Sequence, residues 1–469
     1  MTSIYAYDTE CSGLETRYDR PFQFAAGIYD DEGNLLKELN LRGRLPNYVI
    51  PSPSALLVTG QSIGKIQNSK LSQYQLIGEI HDHITAHSPA VIISYNGMKY
   101  DEEILRHSFY ANLRQPYVTL WNGSTRMDIM IAAKAVAACA PDALRLPVNA
   151  KGKKSFKLED LAAANGMNEH IAHDAMGDVH ATMHLAKEMI SRTPEVWSVC
   201  ERMRHKVRVE NLMEASKPLL HVGWDHDKNK PRIQALLPIC RDDTNPNEWL
   251  CVNLQADINR LLAADAGALK EGFNYVGGVR DIVSVKTNKM PILLQTNDPI
   301  AAGMSVSYDP FVVIRLKSNA NLVERLKAAS TLRKSEFDRD KSVSEQLYSG
   351  GFFPMTKDKV LLNRFHQVSP NERYEMISNL SDPRARQMAR WLVGSEWPEV
   401  MSKGDRKAIE EEFREHIMQE QAKWTTIPSA LEEIKQLAVD ASADQQILLE
   451  EYEGYLLKLQ HSNGCRVAS

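Results

Sequence analysis

Ser3-Ile4-Tyr5-Ala6-Tyr7-Asp8-Thr9-Glu10 is the stretch on which the reading of this chain turns. Ile4 to Tyr7 is a short apolar, aromatic-rich run without Gly or Pro, which reads as a buried strand. It ends in two carboxylates, Asp8 and Glu10. Two residues apart on a strand, their side chains point to the same face. Like charges held together at the end of a buried strand are costly unless a cation neutralises them. Divalent metal suits the role, because hard oxygen ligands favour Mg²⁺ or Mn²⁺. An isolated D-x-E equally describes a strand running out into a solvated acidic turn, so the rest of the chain must decide.

At 469 residues the chain is too long for one ordinary core, and its length implies about three domains. Apolar content of 43% and charged content of 25% are those of a soluble globular protein. No run approaches the ~18 apolar residues of a membrane span, and the N-terminus is neither basic nor apolar enough for a signal peptide. A cytoplasmic protein is expected. The six cysteines, Cys11, Cys139, Cys200, Cys240, Cys251 and Cys465, are scattered without a C-x-x-C pair, as thiols in a reducing compartment would be. A net charge of −4 gives no global reason for a polyanion partner, so such binding rests on local patches.

After the acidic strand, residues 20–29 and 35–41 read as a strand and return strand around the turn 30–34, placing Asp8 and Glu10 on a mixed sheet. Residues 51–63 read as a loop, followed by a helix with Leu76, Ile77, Ile80 and Ile84 on one face. Val91 to Gly97 is a second buried strand that delivers Asp101 to a helix start, where an acid also suits a capping role. Residues 143–157 hold Arg145, Lys151, Lys153, Lys154 and Lys157 and no acid. A solvated loop and a phosphate-contacting rim both fit them. Leu158 to Asn165 reads as a short helix closed by Gly166. Val179, Met183, Ala186 and Ile190 repeat at helical spacing, with Asp178 near the start of that helix. His173 lies five residues earlier, about 140° away on a continuous helix at ~100° per residue. The two converge only if His173 lies in the preceding loop, with Asp174 as a plausible N-cap.

The strand-helix alternation ends near Pro194. Arg202, Arg204, His205, Lys206 and Arg208 form a second basic cluster on a helical stretch. From Leu219 to about Lys317 short apolar runs follow: Leu219–Val222, Gln234–Leu237, Leu250–Val252, Asp281–Val285 and Phe311–Ile314. They imply a β-rich second domain, a small barrel. Beyond Gly350-Gly351-Phe352-Phe353-Pro354 the helical spacings of Ile409, Phe413 and Ile417, and of Leu448, Tyr452, Tyr455 and Leu456, imply a helical domain. The expected domains are residues 1–195, 196–350 and 351–469.

Asp8, Glu10, Asp101, His173 and Asp178, in this order on strand and helix ends, are the set that metal-dependent phosphodiester hydrolysis needs. Carboxylates hold the ions, and a histidine near working pH takes a proton from water. The chain resembles the exonuclease I family of the DnaQ-like (DEDDh) 3′→5′ exonuclease superfamily. Asp8-Thr9-Glu10 matches the first motif, residues 95–101 (YNGMKYD) the second and residues 173–178 (HDAMGD) the third. The likeness extends to residues 19–26, 217–222, 288–293 and 346–353. Residues 59–63 (TGQSI) depart from the usual Thr-Gly-Ile.

The resemblance implies an RNase H-like α/β nuclease domain with a mixed sheet and flanking helices, an SH3-like domain and an all-α C-terminal domain. It implies processive 3′→5′ degradation of single-stranded DNA to deoxynucleoside 5′-monophosphates, in DNA repair and recombination. Asp8, Glu10 and Asp178 would hold the metal carrying the attacking water. Asp8 would touch a second Mg²⁺ (or Mn²⁺), Asp101 would support it through water, and His173 would be the general base. Thr9, Leu57, Thr59 and Asn96 would contact DNA, and Arg145, Lys151, Lys153, Lys154, Arg202, Lys206 and Arg208 are candidates for a basic rim. Asp174 and His180 are expected to cap and to lie on a solvated face. His180 with His184 lacks a third zinc ligand, and His81-Asp82-His83 reads as helix surface. The family also implies a partner, the acidic, apolar tail of single-stranded DNA-binding protein. Lys286, Lys289, Arg315 and Lys317 are basic candidates for it, a solvated strand face being the other reading of them. A monomer without membrane association is expected. Two rival functions share these motifs: an RNA-processing or proofreading exonuclease, and a catalytically dead DNA-binding scaffold.

Overall fold

The structure, a computed structural model, describes residues 3–167, 174–274, 280–304, 306–335, 342–349 and 356–464. Its first strand, β1 (Ser3–Cys11), buries Tyr5, Ala6 and Tyr7. β2 (Pro21–Tyr29) and β3 (Leu35–Arg42) extend the sheet antiparallel on one side. β4 (Ala90–Ser94) and β5 (Thr125–Asp128) extend it parallel on the other, in the order β3-β2-β1-β4-β5. The helices of this region are α1 (Pro53–Thr59), α2 (Ile63–Gln67), α3 (Gln73–Ala86), α4 (Asp101–Ala111), α5 (Ile129–Cys139), α6 (Leu158–Ala164) and α7 (Ala175–Arg192).

The pleat sorts β1 into two faces. Tyr5 and Tyr7 join Phe24 and Ile92 in a core closed by Leu76, Ile77 and Ile80 of α3 and by Leu105 and Phe109 of α4. Ala6 joins Ala25, Ile93 and Met127 in a core closed by Ala132 and Val136 of α5 and by Val179 and Ala186 of α7. Asp8 and Glu10 continue the Ala6 face, towards α7, and Thr9 continues the Tyr7 face, towards α4. β4 pairs only with Ser3 to Ala6 of β1, so the acidic end of β1 projects past its parallel neighbour. The crevice beyond the carboxyl ends of such strands is the usual place for a site.

α8 (Pro194–Met203) and α9 (Lys206–Glu214) lead to a second sheet of five antiparallel strands, β6 (Leu219–Asp225), β7 (Lys230–Arg241), β8 (Glu248–Asn253), β9 (Ile282–Lys286) and β10 (Ile292–Gln295). Their order is β10-β6-β7-β8-β9, and β9 and β10 are unpaired with each other among the described residues. α10 (Ile258–Ala263), α11 (Ala266–Glu271), α12 (Pro310–Lys317) and α13 (Leu322–Ser335) accompany it. The final region is helical: α14 (Thr356–Phe365), α15 (Pro370–Met376), α16 (Pro383–Glu396), α17 (Lys403–Met418), α18 (Ile427–Leu437) and α19 (Ala443–Gly464). Among the described residues, no helix is long and apolar enough to cross a membrane, and Cys11, Cys139, Cys200, Cys240 and Cys251 are free thiols. Cys465 and residues 350–354 lie outside the described residues.

Two expected elements differ. The stretch read as a loop over 51–63 contains α1, whose start has Ser52 accepting the Ala55 N–H at 3.4 Å and Pro53 in the first turn. Gly60, at φ 60°, ends it. The supposed strand Phe311–Ile314 is part of α12, which Asp309 caps at the Phe311 N–H, 2.9 Å, with Pro310 next. A four-residue apolar run does not distinguish strand from helix. The capped proline at each start does.

A buried ion cluster ties the first sheet to the second domain. Glu102 is 1% exposed and accepts from Arg106 and from Thr119, both at 2.8 Å, and from Arg126 through its other oxygen. Arg126 also donates to the Asn288 carbonyl at 2.6 Å. Glu102→Leu leaves Arg126, 5% exposed, with a carbonyl in place of a carboxylate, and Arg106, 4% exposed, with only the longer 3.5 Å pair to Glu103. We expect it to lower unfolding stability by about 3–5 kcal/mol, the cost of breaking a buried pair from one side. Urea denaturation measures this, and a loss below about 1 kcal/mol would show that the arginines find other partners.

Candidate active site

Asp8 and Glu10 leave β1 on one face, and Asp178 reaches them from the first turn of α7. One carboxylate oxygen from each lies within 4.8 Å of the others. Burial, then the neighbouring charges of Asp101, Asp178 and Glu10, holds the Asp8 carboxyl well above the usual range. Glu10 is pushed up to about 9 by burial and by Asp178, Asp101 and Asp174, with Arg42 opposing. The three oxygen donors fit a hard divalent ion, and without His or Cys among them they do not form a typical zinc set. Asp101 stands behind this trio. The Thr9 hydroxyl donates to its Oδ1 at 2.5 Å, and burial raises its pKa to about 6. The strand thus presents metal donors on one face and grips Asp101 with the residue between them.

The turn that delivers Asp101 is fixed by a residue the motifs do not reveal. Asp128, at the end of β5, accepts the N–H groups of Asn96 at 3.0 Å, Met98 at 3.3 Å and Met130 at 3.1 Å. It caps α5 and pins the turn together. Its signal was an acid between the strand-like run 125–127 and the apolar helix beyond. Asn96 itself has φ 58°. Gly97 admits no side chain, since a Cβ there would lie 2.2 Å from Ser94 Oγ. The Tyr95 hydroxyl donates to the Phe156 carbonyl and the Tyr100 hydroxyl to the Gly13 carbonyl, each at 2.6 Å. Asp101 is not a cap: Tyr100 occupies that position without a side-chain bond.

Asp174 occupies the N-cap position of α7 but caps nothing with its side chain. Its carboxylate accepts from Gln23 of β2 and Arg42 of β3, both at 3.0 Å, contacts made across the sheet that no local pattern announced. His180 lies half-exposed against Glu38 at 2.7 Å, and His184 meets the Asn165 carbonyl at 3.0 Å. His83 is not simple helix surface, for it shares a 2.8 Å hydrogen bond with the Tyr5 hydroxyl. His173 lies outside the described residues.

Of the expected DNA contacts, Thr9 is buried with its hydroxyl on Asp101, and Thr59 is buried with its hydroxyl donated to the Ala55 carbonyl at 2.9 Å. Leu57 is half-buried at the edge of the core that α1 shares with α18 and α19. Arg145, Lys151, Lys153 and Lys154 are exposed. The Lys153 ammonium lies 3.3 Å from the Asp227 carbonyl, and that of Lys154 lies 5.7 Å from the Trp224 ring centroid, so this loop rests on the β6–β7 hairpin. The cluster at 202–208 is elsewhere. Arg204 bonds Thr125 at the start of β5, the end opposite Asp128. Arg202 meets Asp298 at 3.7 Å and Lys206 meets Glu210 at 3.6 Å, while Arg208 is exposed. Lys289 is no free cation. It donates to the Met98 carbonyl at 2.5 Å and pairs with Glu103 at 2.8 Å. Lys286 is exposed at the end of β9. Arg315 and Lys317 are exposed on α12, a helix and not a strand, with Arg315 2.7 Å from Asn259 Oδ1.

Known proteins share this arrangement. Residues 204–298 match the exonuclease I SH3-like domain family, and residues 341–459 match the exonuclease I C-terminal domain family. Exodeoxyribonuclease I of Escherichia coli (strain K12) is 30% identical over 370 residues, 75% of this chain and 77% of that protein. The structure of an exonuclease I from Methylocaldum szegediense, at 25% identity, superposes with a TM-score of 0.86 over 98% of this chain and 100% of that one. E. coli exonuclease I in complex with a dA16 oligonucleotide, at 24% identity, gives 0.84 over the same shares. With 30% identity to the E. coli enzyme over three quarters of its length, the chain belongs to the exodeoxyribonuclease I family.

Proposed function

We propose that the chain is a 3′→5′ exonuclease that removes nucleotides from single-stranded DNA by hydrolysis, releasing deoxynucleoside 5′-monophosphates in DNA repair and recombination. The carrying observation is the trio Asp8, Glu10 and Asp178 at the open end of β1. The E. coli relative bound to dA16 supports the substrate class. Two Mg²⁺ ions, or Mn²⁺ in their place, would supply an activated water and neutralise charge at the leaving 3′-oxygen. Asp8, Glu10 and Asp178 would hold them, with Asp8 serving the second as well. Asp101 supports the second position, oriented by Thr9, while Asp128 fixes the turn beneath it. His173, next in sequence to Asp174, takes a proton from the attacking water.

Residues 1–195, 196–350 and 351–469 serve as nuclease, SH3-like and helical domains. Lys153 and Lys154 rest on the β6–β7 hairpin beside a groove lined by Lys134, Trp224, Lys286 and Lys289, which supports a DNA path between the first two domains. Lys286, Arg315 and Lys317 remain basic candidates for the acidic tail of single-stranded DNA-binding protein, and the protein acts as a cytoplasmic monomer.

Asp8→Asn should abolish Mg²⁺-dependent digestion of an end-labelled single strand while leaving the circular dichroism spectrum unchanged. Retained Mg²⁺-dependent cleavage would remove Asp8 from the metal site. His173→Ala should slow single-turnover cleavage by roughly 10²–10⁴-fold at neutral pH, the range of a lost general base. An unchanged rate would give His173 no part in proton transfer.

The raised carboxyls also set a pH dependence. Glu10 has a folded value of about 9 against an ordinary 4.5, so the folded metal-free protein retains a proton that the unfolded chain releases. That contribution to stability is complete below pH 4.5 and is lost as pH rises through 9. In EDTA the melting temperature should therefore fall across this window, and saturating Mg²⁺ should flatten the trend. Equal slopes with and without metal would count against the cluster as a metal site.

A further inference from the structure

Between the nuclease and helical domains lies a cavity of about 230 Å³ with walls supplied by Tyr18, Tyr48, Trp391, His416 and Trp424. Arg20 reaches into this wall and is only 4% exposed. Its guanidinium donates to two backbone carbonyls, Asp19 at 2.7 Å and Arg17 at 3.4 Å, and it has no carboxylate partner among the described residues. An arginine cannot shed its charge. Leaving such a charge buried without a counterion costs several kcal/mol.

Asp19 is near enough for its charge to act on Arg20, but the hydrogen bonds of the nearby acids go elsewhere. Asp19 accepts from the Ser12 hydroxyl and the Glu15 N–H, both at 2.7 Å, and Glu345 accepts from Arg17 at 2.9 Å and Lys423 at 2.8 Å. His416 stacks on Trp424 with ring centroids 4.1 Å apart, and burial together with Arg20 lowers its pKa to about 4, so it adds no second charge. One buried cation with unfilled donors, facing a cavity with ring-bearing walls, selects an anion attached to a flat apolar body. At the ~10–15 Å³ a single water requires, the volume holds on the order of 15–20 non-hydrogen atoms.

We propose that this cavity is a binding site for a small aromatic anion, one phosphate or carboxylate group carried on a ring system, with Arg20 as its anion receptor. Two sources share that chemistry. A nucleoside 5′-monophosphate, the product class of the proposed reaction, is one, and a free aromatic carboxylate is the other.

Isothermal titration of the full chain in EDTA distinguishes them, using deoxyadenosine 5′-monophosphate, indole-3-acetate, deoxyadenosine and inorganic phosphate as probes. All titrations are made in the Asp8→Asn background, so that no turnover occurs and failure of the proposed function leaves the test intact, while the Arg20 variant separates binding here from binding at the nuclease site. One equivalent of the nucleotide or of the aromatic acid should bind, at least tenfold tighter than deoxyadenosine or phosphate. Whichever anion binds more tightly identifies the source. Arg20→Gln should weaken that binding at least tenfold. Because Arg20 is buried, Trp424→Leu at the half-buried wall serves as a second variant, with the same loss expected in protein whose circular dichroism spectrum is unchanged. Absence of binding by both anions at millimolar concentration overturns the proposal. So does binding that a folded Arg20→Gln or Trp424→Leu variant leaves unchanged.

Discussion

Like-charge crowding at the end of β1 is the constraint from which the rest of the nuclease domain follows. Three carboxylates with oxygens inside 4.8 Å repel one another, and all three are partly or largely withdrawn from water. An isolated strand would relieve this by fraying. Here β1 is the central strand, held antiparallel by β2 through Cys11 and parallel by β4 through Ala6. The apolar cores on its two faces fix the pleat, and the pleat fixes which side chains share a face. The energy of those cores holds the acids together, at a place where a divalent cation would relieve their repulsion.

The same logic explains why the later domains fasten to the elements around the site. Lys289 of the second domain grips the Met98 carbonyl and Glu103, on the turn and helix that carry Asp101. Glu433 of α18 accepts the Ser54 N–H at 3.1 Å, and Glu451 of α19 accepts the Gly64 N–H at 2.9 Å. Those N–H groups open the short helices α1 and α2, which four-residue hydrogen bonding alone leaves unsatisfied. The third domain therefore supplies caps to the segment bearing Leu57 and Thr59. Each additional domain removes freedom from a part of the nuclease domain that its own short elements hold weakly.

What was legible in the sequence follows from the range of the interactions. Asp8 and Glu10 stand on a period of two, Asp178 on a helical period, and Asp101 after a turn with Gly97, so local geometry announced each of them. Lys289 resembled a free surface cation because its partner Glu103 is 186 residues away. Gln23 and Arg42 were silent for the same reason, since their contact with Asp174 exists only once β2 and β3 lie beside α7. Asp128 belongs to none of the acidic motifs although its signal is local, because its work is to hold backbone N–H groups and not to meet the other acids. α12 was misread because four apolar residues fit either period, and the Asp-Pro start outweighed them.

Arg42 decides how many of the clustered acids remain available. Asp8, Glu10, Asp101, Asp174 and Asp178 carry a combined charge of −5 when ionised, an amount that two divalent ions do not balance. The ion pair between Arg42 and Asp174 withdraws one negative charge and ties that carboxylate to β3 at 3.0 Å. Four remain, against the +4 of two dications. On the proposed two-ion reading, a loaded site of this composition would be close to neutral, and an entering phosphodiester would meet little net repulsion. Neutralising Asp174 from within the fold would thus let two dications balance the remaining acids, as the proposed reaction on an anionic substrate requires.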